Sequence, residues 1–141
     1  MGLDQYAYSI SKGEDPREDH DDRINLMDWR KHNRLQGYME ELAIDKGVIK
    51  PDETFNCEPV QLTEKDIDDL EQVIIDKKLP ETGGFFFGGD SYETEKGTYA
   101  DTKKKYVWTY DKDMMPDDLK FIEKAREALA RGEDVYYDSW W

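Results

Sequence analysis

The chain reads as a single α+β domain over residues 1–141, three helices packed on a small mixed sheet. Three observations carry this. Apolar residues recur every second position near both ends of the chain, and with helical spacing in three stretches between them. Aromatic residues make up 13% of the chain and sit in runs bounded by Gly and Pro. That aromatic content outweighs the 38% of charged residues and the mean hydropathy of −0.99, which alone would favour disorder.

Taken in order, Leu3 to Ser11 alternates, with Tyr6, Tyr8 and Ile10 on one side, and predicts a strand. Gly13 to Arg23 carries six acids around Pro16 and predicts a solvated loop; its spacing lacks the ligand pattern of a calcium site. From about Met27 to Lys46 the period becomes helical, with Leu35, Tyr38, Met39 and Leu42 on one face and Gly47 closing the helix. Phe55 to Val60 predicts a short strand made irregular by Pro59. Thr63 caps a second helix with Asp66 three residues on; Ile67, Leu70, Val73 and Ile74 form its stripe, and Pro80 stops it.

Gly83 to Gly89 flanks three phenylalanines with glycines, which predicts an interior strand needing cover on both faces. A polar loop over 91–105 and a strand from Tyr106 to Tyr110 follow. Pro116 opens a third helix that buries Leu119, Ile122, Ala125 and Leu129 and ends at Gly132. Val135 to Trp141 closes the order β-α-β-α-β-β-α-β as a strand. Its Tyr136, Tyr137, Trp140 and Trp141 require docking, since each such ring brings roughly 150–250 Å² that water would otherwise cover.

Several function classes are disfavoured by composition. One cysteine, Cys57, permits no intrachain disulfide and fits a reducing compartment. No apolar run approaches a membrane span and no basic-then-apolar leader stands at the start, so a cytoplasmic location is expected. A net charge of −14 opposes direct nucleic-acid binding. The acids are spread along the chain, 14 against 8 bases in residues 1–60 and 20 against 12 in 61–141. That spread favours solubility over an acidic DNA mimic, although folding can gather dispersed charges.

Four blocks carry a resemblance: Met1-Gly2-Leu3-Asp4-x-Tyr6, Trp29-Arg30-Lys31, Leu79-Pro80-x-Thr82-x-Gly84-Phe85-Phe86-Phe87-Gly88, and Tyr137-x-Ser139-Trp140. In that order they resemble a family of small phage and prophage proteins. Members sometimes carry a phosphoglycerate kinase label, which does not suit a chain this short without a phosphate-cradling motif. The resemblance implies a viral or prophage origin, a host-directed accessory role, and work in the cytoplasm of an infected cell.

Candidate chemistry is sparse. Trp29, Arg30, Lys31 and His32, with Arg34 nearby, are the concentrated positive segment; on a helix Arg30 and Arg34 would share a face. With Trp29 and Trp140 as stacking platforms they could hold a phosphate or nucleotide, or they could simply pair with acids such as Asp28 or Asp138. Cys57 with His32 is the available thiol–imidazole pair, and neither His20 nor His32 sits at metal-ligand spacing. Phe85 to Phe87, Trp108 and the closing aromatics could line a pocket or form core. The leading expectation is a non-enzymatic binding protein without cofactor, acting on a host protein or a nucleotide-like small molecule. Its surface would draw on Trp29, Arg30, Lys31, Arg34, Phe86, Asp138, Trp140 and Trp141. An acidic DNA mimic or protein inhibitor is the alternative, and a small hydrolase or cysteine enzyme the third class.

Overall fold

The computed structural model describes residues 3–18, 21–30, 32–80 and 115–141. Among them four strands, β1 (Asp4–Ser11), β2 (Ile24–Arg30), β3 (Val60–Leu62) and β4 (Glu133–Trp140), form one sheet in the order β2-β1-β4-β3. Every pairing is antiparallel. Three helices, α1 (Asn33–Asp45), α2 (Glu64–Ile75) and α3 (Met115–Ala130), complete an α+β fold. The expected strands over 83–89 and 106–110, and the loop between them, lie outside the described residues.

Period two assigns the faces. Ala7, Val60, Leu62, Val135 and Tyr137 point to one side of the sheet, with Leu26 and Trp29 from β2. There they join Leu35, Met39 and Ala43 of α1, Ile67, Leu70 and Ile74 of α2, and Phe121, Ile122, Ala125 and Ala128 of α3 in one buried cluster. All three helices therefore cover one face. The opposite face carries a smaller cluster of Tyr8, Ile10 and Tyr136, with Tyr6 packed against it.

The long helix expected from Met27 is corrected. Ile24 to Arg30 is the edge strand β2, and the helix begins only at Asn33. The stripe Leu35, Tyr38, Met39 and Leu42 is helical as expected, but Met27 to Arg30 before it alternate, with Met27 and Trp29 packed in the core and Asp28 and Arg30 exposed. A register shift opposite Ala7 and Tyr8 leaves Leu26 as an extra residue, so the alternation breaks where it would have signalled a strand. The strand expected at 55–60 is also shifted. Cys57 adopts a left-handed φ of 60° and Pro59 has no N–H to donate, so the ladder with β4 starts at Val60.

The cap on α2 is present in both directions. The Asp66 N–H donates to Thr63 Oγ1 at 3.2 Å and the Thr63 N–H donates to Asp66 Oδ2 at 2.9 Å. Thr63→Ala removes one half of this exchange. It is expected to lower stability by about 1 kcal/mol in chemical denaturation, with Thr63→Ser nearly neutral.

The closing aromatic segment is ordered, as its composition requires. β4 is a central strand paired to β1 from Glu133 to Trp140. Trp141 is pinned beyond it: its N–H donates to Asn56 Oδ1 at 3.1 Å, its indole Nε1–H to the Phe55 carbonyl at 2.8 Å, and its carbonyl accepts from Asn56 Nδ2 at 2.9 Å. Among the described residues no helix is long and apolar enough to cross a membrane.

Candidate functional site at the helix-free sheet face

The positive segment does not form the expected cluster. Trp29 is core, edge-on to Phe121 at 5.1 Å, with its Nε1–H donating to Asp118 Oδ1 at 2.7 Å. It offers no exposed ring for stacking. His32 is fully buried, its Nε2 2.8 Å from Asp118 Oδ2. Arg34 sits on α1 and donates from Nη1 to the Leu79 carbonyl at 3.0 Å. Arg30 ends a strand, so it and Arg34 share no helical face. Lys31 and Phe86 lie outside the described residues.

Behind these contacts runs a buried polar chain. Gln5 Nε2 donates to the His32 carbonyl at 2.9 Å and to the Tyr137 hydroxyl at 2.8 Å, and Gln5 Oε1 accepts from the His32 N–H at 2.8 Å. The Tyr137 hydroxyl donates to Gln36 Oε1 at 2.6 Å, and Gln36 Nε2 donates to the Phe55 carbonyl at 3.2 Å. Burial pushes the Asp118 carboxyl up, while His32 and the Trp29 N–H pull it back. The chain joins β1, α1, α3, β4 and the segment before β3, and its buried His–Asp pair has no open path to solvent, which suits structure better than catalysis.

The Cys57–His32 pair is not assembled. Cys57 is exposed, and its electrostatic neighbours are Asp138 and Glu58, whereas His32 is committed inside the core. Burial and those carboxylates push the thiol up, the opposite of what a nucleophilic thiolate needs. Among the described residues no group of three or more His, Cys, Asp or Glu is arranged to hold a metal ion. A depression between α2 and α3 is lined by Glu64, Arg126, Leu129 and Ala130. Its one cation, Arg126, grips Glu71 at 2.8 and 3.0 Å and Asp68 at 2.8 Å, so it is already neutralised.

What the fold does expose is the other face of the sheet, which no helix covers among the described residues. Directly paired residues of antiparallel strands share a face. The register therefore writes rows across it: Arg30, Asp4, Trp140; then Asp28, Tyr6, Asp138; then Asn25, Tyr8, Tyr136, Gln61. The β1–β2 loop folds over the third row. The Tyr8 hydroxyl donates to the Pro16 carbonyl at 3.4 Å, and the Arg23 guanidinium lies 4.0 Å above the Tyr8 ring while donating to Pro16 at 3.0 Å. The Gly13 N–H donates to Asp134 Oδ2 at 2.9 Å, and Arg17 ties the loop to Glu58 at 2.7 Å.

The first row is exposed, and the second is exposed at Asp28 alone. Tyr6 is half-buried, its phenol pushed up to about 12 by burial and by Asp138 beside it. Asp138 is nearly buried and is itself pushed up by burial, against the Ser139 N–H, Arg23 and Tyr6, which pull it back; its Oδ1 accepts from the Ser139 N–H at 2.8 Å. Arg30, Asp4 and Trp140 are all exposed, Trp140 at 63%. With the described residues, none of their three side chains makes a hydrogen bond, ion pair or ring contact. Of the expected site residues, the structure thus brings Arg30 and Trp140 to one exposed row, sets Asp138 nearly buried in the row beside it, and ties Trp141 to Phe55 and Asn56. Asp4 and Tyr6 were missed. Their signal was the alternation of β1, which placed Tyr6 on a face without saying that the face lacks a helix.

The chain matches no family model, and no curated protein and no solved structure is similar to it.

Proposed function

We propose that this chain is a non-enzymatic binding protein that docks a basic surface of a partner protein on the open end of its helix-free sheet face. The observation that carries the reading is Trp140. Its indole is 63% exposed although the residue stands on a central strand paired with β1. A large ring held on a rigid ladder has lost most of its backbone freedom before binding, so less ordering entropy opposes the complex. Tryptophan with flanking charge is also the composition in which interface energy concentrates.

Charge chooses the partner class. The net charge of −14 repels phosphates and attracts a cationic surface, raising its encounter rate. A nucleotide-like ligand would need rings and cations converging in one cavity, whereas Trp29 is core and the half-buried Arg34 is engaged by the Leu79 carbonyl. A DNA mimic would need a continuous run of free carboxylates. On α2 the acids are largely answered: Asp68 and Glu71 by Arg126, Asp69 by Lys65, Asp66 by Lys46. The resemblance to phage proteins makes a host protein the natural partner.

The test is affinity capture from a host lysate with the native chain and with Trp140→Ala. A basic protein should be retained by the native chain, lost from the variant, and released as the screening length falls from about 10 Å at 0.1 M salt to about 3 Å at 1 M. The variant should melt within about 0.5 kcal/mol of the native chain, since the ring is exposed. An identical captured set for both chains, or retention indifferent to salt, would refute the reading.

A further inference from the structure

We infer that the group recognised by the open end is an arginine side chain of the partner, laid flat on the Trp140 indole with its guanidinium directed into the Asp4 carboxylate. This rests on the binding reading above and specifies its chemistry.

Asp4 lies directly opposite Trp140 in the β1–β4 register, on the same face. Paired residues of antiparallel strands have Cβ atoms about 5 Å apart, so the carboxylate and the indole rise from neighbouring positions on that face. An aromatic face with a carboxylate at its rim is the complement of a planar cation. The guanidinium stacks on the π system and forks two N–H bonds into the two oxygens, whereas an ammonium can do only the second with comparable geometry. Asp4 is exposed and its side chain is engaged by no described residue, so among the described residues nothing competes with a partner's cation.

The surroundings favour the same sign. In the neighbouring row Asp28 and Asp138 flank Tyr6, placing two more carboxyl groups at the diagonal positions about 7–8 Å from Asp4. Arg30 is the opposing element. It is Asp4's partner on the other side, in β2, yet forms no ion pair with it. Its positive charge repels a cation approaching from the β2 side, which leaves the Trp140 side of Asp4 as the favoured seat. Arg30 thus acts as a selector of position, and its removal should strengthen cation binding. An anion-binding row would respond in the opposite direction.

The experiment is a titration of the full chain with N-acetyl-arginine amide, followed at the Trp140 indole N–H by two-dimensional NMR. N-acetyl-citrulline amide, N-acetyl-lysine amide and guanosine monophosphate serve as comparison ligands. A saturable shift with arginine is expected, about fivefold weaker with lysine and lost with uncharged citrulline. Asp4→Asn should weaken arginine binding about fivefold, and Arg30→Gln should tighten it about twofold. Both substitutions are at exposed positions, so the rest of the spectrum should be unchanged and report an intact fold. Equal responses to citrulline and arginine, no effect of Asp4→Asn, weakening by Arg30→Gln, or a stronger response to guanosine monophosphate would each overturn the inference. Lysate capture that depends on Trp140, in a protein silent to arginine, would overturn this inference and leave the binding reading standing. An arginine response without Trp140-dependent capture would do the reverse.

Discussion

Asp118→Ala is expected to destabilise the fold by roughly 2–6 kcal/mol, since it strips two buried hydrogen-bond partners at about 1–3 kcal/mol each. Asp118 is 1% exposed and its two oxygens receive the Trp29 Nε1–H at 2.7 Å and face His32 Nε2 at 2.8 Å. Alanine leaves both nitrogens buried without the carboxylate that answers them. The loss does not stop there. His32 also holds Gln5 through both its backbone groups, and Gln5 in turn supports Tyr137. Asp118→Asn keeps the shape and an acceptor for Trp29, and an imidazole can offer its Nε2 lone pair to the amide. That variant should lose about half as much. Urea denaturation of the two variants checks the order, and a loss below about 1 kcal/mol for alanine would show that the network carries no weight.

Raising the pH through 10 to 12 is expected to unfold the protein steeply. Tyr6 and Tyr38 are each held up to about 12, and Tyr8, Tyr136 and Tyr137 also stand above the ordinary phenol value. Burial is the first cause in all five. Carboxylates add to it: Asp138 at Tyr6, Tyr8 and Tyr137, Asp69 and Asp66 at Tyr38, Asp134 at Tyr136. The sign follows from linkage. Above about 10 the unfolded chain releases these protons while the native state keeps them, so the native state binds more protons and stability falls with rising pH. The contribution is intact below pH 10 and is lost as pH climbs toward 12. Tyrosinate absorbance should therefore lag the usual titration and then rise together with the loss of circular dichroism. A gradual phenol titration centred on 10, with the dichroism unchanged, would contradict the burial of this aromatic set.

Short-range patterns in the sequence were enough for several elements. The alternation of Tyr6, Tyr8 and Ile10 placed β1, the Thr63–Asp66 spacing placed the start of α2, and the four closing aromatics required a docked segment that proved to be β4. Each of these is a property of a few consecutive residues under one backbone geometry, period two or 3.6. The start of α1 failed for the same reason read in reverse. With Leu26 inserted as a bulge, the strand at Ile24–Arg30 had no clean period to display, and the helical stripe beyond it seemed to extend backwards.

The candidate surface belongs to the other category. Arg30, Asp4 and Trp140 are separated by up to 136 positions in the chain and meet only through two antiparallel registers. Local composition drew attention to Arg30 and Trp140, but it also promoted Trp29, which packing took inward, and Arg34, which is engaged by the Leu79 carbonyl. The sequence by itself determined the class of fold, the capped second helix and the need to order its closing aromatics, because backbone periodicity and ring burial act locally. Only the tertiary structure decided which face lacks helices and which charges reach water, because strand pairing is non-local and a one-residue change of register turns every side chain to the opposite side.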